Sequence, residues 1–173
     1  MHFLVLLLAF MVVSGPLWAQ DIIGLVQRGD SLLAKGQNQQ ALLEYEKALK
    51  VGAGSALFLN RLAGLYMQNE AYVKAAKSLQ ASLAEDPKQL PVYSALGEAH
   101  LATGKIDSAI FYVEQARILA PSSSSIYSSL AFLYMQKGQG ERAREQLDRA
   151  LALNDKNPEA YRWFAGTAPE HMI

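Results

Sequence analysis

Few residues in this chain have the type and spacing that chemistry needs. Residues 29–32 read Gly29-Asp30-Ser31-Leu32, offering Ser31 as a would-be nucleophile, and there are three histidines, His2, His100 and His171. A catalytic serine needs a tight turn to present it and a base within hydrogen-bond reach. His171 follows Glu170 with no upstream aspartate at suitable spacing, and Ser31 lies inside a helical pattern. One histidine near the start, one on a packing face and one in the tail do not form a metal-ligand set by spacing. His100 is expected to be a core or half-buried histidine. With no glycine-rich phosphate loop, dinucleotide fingerprint or inward-facing carboxylate pair, no cofactor is expected.

The elements that would have to position these groups are helices. In residues 91–121, Tyr93, Leu96, Gly97 and His100 fall three and four apart, and Ile106, Ala109, Val113 and Ala116 do the same after a break at Thr103-Gly104. The pattern recurs every 34 residues: Ala41, Ala75, Ala109 and Ala143 share one slot, Gly29, Ala63, Gly97 and Ala131 a second, and Leu25, Leu59, Tyr93, Tyr127 and Tyr161 a third. Small residues in the first two slots let antiparallel helices approach closely, so Gly97 and Ala109 are expected to face each other. Asp86-Pro87, Ala120-Pro121 and Asn157-Pro158 reset the chain between units, because the residue before proline disfavours helix. Lys35-Gly36, Thr103-Gly104 and Lys137-Gly138 mark the turns within hairpins. Asn69-Glu70 stands there in the second unit, with Asn69 expected to tolerate the left-handed turn. Ser122 to Ser125 read as an N-cap and a polar first turn.

Tyr93, Leu96-Gly97, Ala109, Ala116 and Pro121 together resemble the tetratricopeptide repeat pattern. His100 for Tyr and Val113 for an aromatic depart from it, as do Arg28 and the Gly52-Ala53-Gly54 junction in the first unit and Gly140 and Asp155 in the fourth. The resemblance covers 22–157 as units 22–55, 56–89, 90–123 and 124–157, with a capping helix at 158–165 and a tail at 166–173. It implies an all-α fold, an α-solenoid of helix-turn-helix hairpins coiled into a right-handed superhelix. Tyr161 and Phe164 are expected to cover the last hairpin, and Trp163 to pack in the cap or stand exposed as an anchor. The tetrapeptide at 29–32 also resembles the signature of the GDSL hydrolases, which leaves an enzyme as a remote alternative. Asp30-Ser31-Leu32 and Asp107-Ser108-Ala109 resemble a short O-glycosylation motif of exported bacterial proteins, with Ser31 expected to be too buried to modify.

In the repeat family the first helix of each unit lines the concave side. That lining is Asn60, Gly64 and Met67, then Ser94, Glu98 and Leu101, then Ser128, Phe132 and Met135. It suits an extended or helical peptide with apolar side chains, and Phe132 is the expected exposed anchor. Met67 and Met135 have burial between units as their alternative. A family subtype grips a C-terminal carboxylate from this lining with Lys, Asn and Arg. The corresponding places hold Val26, Asp30, Arg61, Pro91 and Ala95, a single cation among them.

Sixteen Lys and Arg against sixteen Asp and Glu give zero formal charge, so no basic stripe for nucleic acid is expected. The absence of cysteine removes disulfides, thiol chemistry and lipid attachment at a mature N-terminal Cys. Residues 1–19 carry an apolar run at 3–13 and then Ser14-Gly15-Pro16-Leu17-Trp18-Ala19, the form of a secretory signal peptide cut before Gln20, although a basic n-region is missing. The run is shorter than the ~20 apolar residues of a spanning helix, and an uncleaved anchor is the alternative. The expectation is therefore an exported, non-catalytic scaffold that binds another protein or peptide. A structural subunit assembling through its outer face is the rival.

Overall fold

Ala41, Ala75, Ala109 and Ala143 have no exposed surface, and the second small slot of the same helices, Ala48, Ser82, Ala116 and Ala150, is equally closed. Residues seven apart on one helical stripe are small and buried in every unit, so each helix can lie close against its partner. The computed structural model describes residues 17–166, and these form tandem helical hairpins. The first is α1 (Leu17–Ala34) with α2 (Asn38–Lys50), and the second α3 (Ala56–Gln68) with α4 (Tyr72–Glu85). The third is α5 (Leu90–Ala102) with α6 (Ile106–Leu119), the fourth α7 (Ser124–Gln136) with α8 (Gly140–Leu153), and α9 (Pro158–Gly166) follows. Among the described residues there is no strand. The expected cut before Gln20 falls within α1; the rest of the signal segment, with His2, and the tail from Thr167, with His171, lie outside the described residues.

Each hairpin packs on itself and on the next, and α9 lies on α7 and α8. The cores sit at these seams: Ala109, Val113 and Ala116 of α6 pack with Ile126, Leu130 and Leu133 of α7. Such a core grows by repetition along one direction rather than outward from a centre. Gly97 meets the Val113 side chain more closely than it meets Ala109, which offers only its carbonyl oxygen. The expected facing pair is thus in contact, with the Val113 side chain one turn along the same helix closer still.

The turns within the four hairpins each place one residue at positive φ, Gly36, Glu70, Gly104 and Gly138, and Gly52 does so at the junction of the first two units. In the second unit it is Glu70 (φ 57°), not Asn69, that is left-handed. Asn69 keeps φ −95° and donates Nδ2–H to the Leu65 carbonyl at 2.8 Å. Asp86 and Ala120, each before a proline, leave the helical region and end α4 and α6, Asp86 in extended backbone. Asn154 does the same where no proline follows, its side chain accepting the Lys156 N–H at 3.1 Å. The same Asx turn forms at Asp86, whose carboxylate accepts the Lys88 N–H at 3.1 Å, so it follows the helix with or without a proline. Ser123 stands at the N-cap of α7 but caps nothing: its hydroxyl bonds to Ser125 at 3.0 Å, whereas Ser55 does accept the Phe58 N–H at the start of α3.

Candidate functional site: a concave cavity at the C-terminal hairpins

Asn157 builds the far end of the array. Buried before Pro158, it accepts the Glu159 and Ala160 N–H groups at 3.0 and 3.1 Å and so caps α9. Its amide donates to Ser124 Oγ at 2.5 Å and Ser128 Oγ at 3.0 Å, which fixes α9 against the start of α7. In that pose Ala160 is fully buried, and Trp163 packs on the Ala131, Leu147 and Ala150 cluster. The covering of the last hairpin therefore falls to Ala160 and Trp163. Tyr161 is exposed, with its hydroxyl donating to the Asp155 carbonyl at 2.9 Å. The Phe164 side chain lies outside the described residues.

Between α5, α7 and α9 is a cavity of about 300 Å³. Its floor is apolar, made by Leu101, Val113, Ile126, Phe132, Leu133 and Trp163, with Gly97 beside them. Polar groups rim it: Ser94 and Glu98 on α5, Ser125, Ser128 and Ser129 on α7, and Glu159 and Arg162 on α9. The Phe132 and Trp163 rings meet at 4.7 Å between centroids with a 37° tilt, and the Arg162 guanidinium stands 5.9 Å over the indole. Phe132, expected to be exposed, is thus half-buried under Trp163.

The cavity gathers five of the nine lining residues, Ser94, Glu98, Leu101, Ser128 and Phe132. Ser128 is buried and already engaged by Asn157, so it supports the site more than it faces a ligand. The other four lie outside it. Asn60 donates to Gln89 Oε1 at 2.7 Å, and Gln89 holds Ser82 and the Asp86 carbonyl, so Asn60 tethers the entry to α5. Met67 packs into the cores of the first and second hairpins. Met135 is half-buried, and Gly64 is exposed with open space where a Cβ would stand. Glu159 and Arg162 were missed, although they lie 34 residues beyond Ser125 and Ser128.

The N-terminal part of the lining is occupied by its own charges. Arg61 Nη1 binds Asp30 Oδ1 and Oδ2 at 2.6 and 2.7 Å, and Tyr45 donates its hydroxyl to the same carboxylate. Burial, and then the Asp30 carboxylate, push the Tyr45 hydroxyl up to about 12. The one cation of the would-be carboxylate clamp is therefore engaged. Asp30 and Ser31 sit in a continuous helix with no histidine in that hairpin, and Ser31 is exposed rather than buried, because two residues along a helix turn it away from Gly29. His100 is half-buried, stacked on Tyr112 at 5.1 Å and 12°, with neither ring nitrogen hydrogen-bonded. No group of three or more potential metal ligands occurs among the described residues.

Tetratricopeptide repeat models match residues 26–89, 67–128 and 100–162. The chain belongs to the tetratricopeptide repeat family. The general transcriptional corepressor trfA of Dictyostelium discoideum is 28% identical over 70% of this chain, which spans 9% of that relative's length. Among solved structures, MamA superposes with a TM-score of 0.77 at 22% identity over 86% of this chain and 81% of its own. YrrB, described as a TPR protein with an unusual peptide-binding site, does so with a TM-score of 0.73 at 20% identity, covering 79% and 71%. Likeness at this identity speaks for the fold alone.

Proposed function

We propose that this protein is a non-catalytic adaptor that holds a peptide segment of a partner protein in the concave cavity between α5, α7 and α9. The observation that carries this reading is the junction of an apolar floor with a polar rim around the Phe132–Trp163 pair. Binding energy concentrates where aromatic side chains meet inside a pocket that water can be driven from. The apolar run at 3–13 and the small residues before Gln20 support export, which would put the adaptor in a bacterial envelope. A photo-crosslinking residue in place of Ser94 should capture a partner in envelope fractions, and the same residue in place of Phe111 on the outer face should not. The reverse pattern would sink the reading.

A second reading has one observation in its favour. Phe111 and Ile118, two turns apart on α6, are 57% and 64% exposed. An apolar stripe on the outer face would suit assembly through that face. Sedimentation over a hundredfold range of concentration separates the two, since only the structural reading requires the mass to rise.

A further inference from the structure

Resting on the peptide-binding reading, we infer that the segment bound here pairs an apolar side chain with a lysine or arginine close beside it. The cavity is too small for a whole helix: about 300 Å³ lies at the lower end of ligand pockets and takes the side chain of one large residue. That side chain rests on Leu101, Phe132 and Trp163. What lies next to it is decided by the rim.

The rim accepts far more than it donates. Ser94 Oγ–H points back to the Leu90 carbonyl at 3.4 Å, Ser128 to Ser124 at 3.3 Å and Ser129 to Ser125 at 3.1 Å, each one helical turn earlier. Their protons are used within their own helices, and the oxygens of Ser94 and Ser129 present lone pairs. Glu98 on α5 and Glu159 on α9 are exposed, and neither side chain has an ion-pair or hydrogen-bond partner among the described residues. Asp30, Glu44, Glu46, Asp107 and Glu114, by contrast, each hold a cation of this chain. The single cation of the rim, Arg162, lies over the indole face. Two carboxylates from separate helices, with serine oxygens beside them, complement an ammonium or guanidinium group carrying several N–H donors. An acidic segment would meet like charge and surplus acceptors.

The test uses the full chain with Trp18→Phe, so that Trp163 is its sole indole. Its emission is titrated with three acetylated, amidated ten-residue peptides in which leucine alternates with lysine, glutamine or glutamate. The leucine–lysine peptide should shift the emission and bind roughly tenfold more tightly than the leucine–glutamine one. Molar salt should erase most of that margin. Glu98→Gln with Glu159→Gln should bring the lysine peptide down to the affinity of the glutamine peptide while leaving the latter unchanged. If all three peptides shift the emission with equal affinity, the preference for a cation is wrong and the peptide groove stands. If the glutamate peptide binds most tightly, the sign of the preference is wrong. If none shifts the emission, the cation preference and the peptide-binding reading fall together.

Discussion

A Cβ on Gly97 would lie 2.6 Å from Val113 Cγ2, closer than real Cβ contacts come. Alanine there gains about 1 kcal/mol of helix propensity, but the overlap forces a rearrangement in a closed core costing ~1 to 3 kcal/mol. Gly97→Ala should therefore be neutral to destabilising, and Gly29→Ala clearly destabilising, since the Tyr45 ring stands even closer to that position. Gly64→Ala, with nothing near its Cβ, should instead stabilise by about 1 kcal/mol. Denaturant midpoints of the three variants check the order.

Glu70 holds a φ of 57°, where an L side chain is strained, at the position that glycine takes in the other three hairpins. Glu70→Gly should raise stability by about 1 kcal/mol. Gly104→Ala should lower it by a similar amount, through backbone strain alone, because its Cβ would meet nothing. Thermal melts in which both variants move the same way would contradict the assignment.

Asn157→Ala removes the cap of α9 and the amide that bonds Ser124 and Ser128. Loss of a cap costs ~0.5 to 2 kcal/mol, and unpaired buried polar groups add to it. The loss should be local, with Trp163 emission moving red and its accessibility to quenchers rising while helix content falls little.

Burial, and then Lys105, hold the His100 imidazole below its usual pKa. The unfolded chain takes up the proton at about pH 6.5 and the native one does not, so stability is full above that value and falls as the pH drops through it. His100→Phe should lose less stability than the parent between about pH 7.5 and pH 5.5 in urea titrations. Equal losses would show that the buried ring is not responsible.

The repeat was legible because its small slots are enforced by packing: in all four hairpins the alanine or glycine at the spacing of Ala109 and of Gly97 is buried. Slot arithmetic pursued further would also have found Glu70, which stands 34 residues after Gly36, and Arg162, which stands 34 after Ser128. The Phe132–Trp163 contact was not legible. Their slots differ, and the rings meet because Asn157 sets the pose of α9, a tertiary bond that no periodicity encodes. Asn60 likewise reads as lining until its bond to Gln89 gives it another task.

The proposed contact puts the partner on the concave side, with Phe132 at its centre. The direct measurement is the affinity of a partner recovered from envelope fractions for the parent chain, Phe132→Ala and Phe111→Ala, by titration calorimetry. Phe132→Ala should cost on the order of 2 kcal/mol of binding, roughly thirtyfold in Kd, while Phe111→Ala leaves Kd unchanged. Loss of binding in Phe111→Ala with parental affinity in Phe132→Ala would contradict the concave site and move the contact to the outer face of α6.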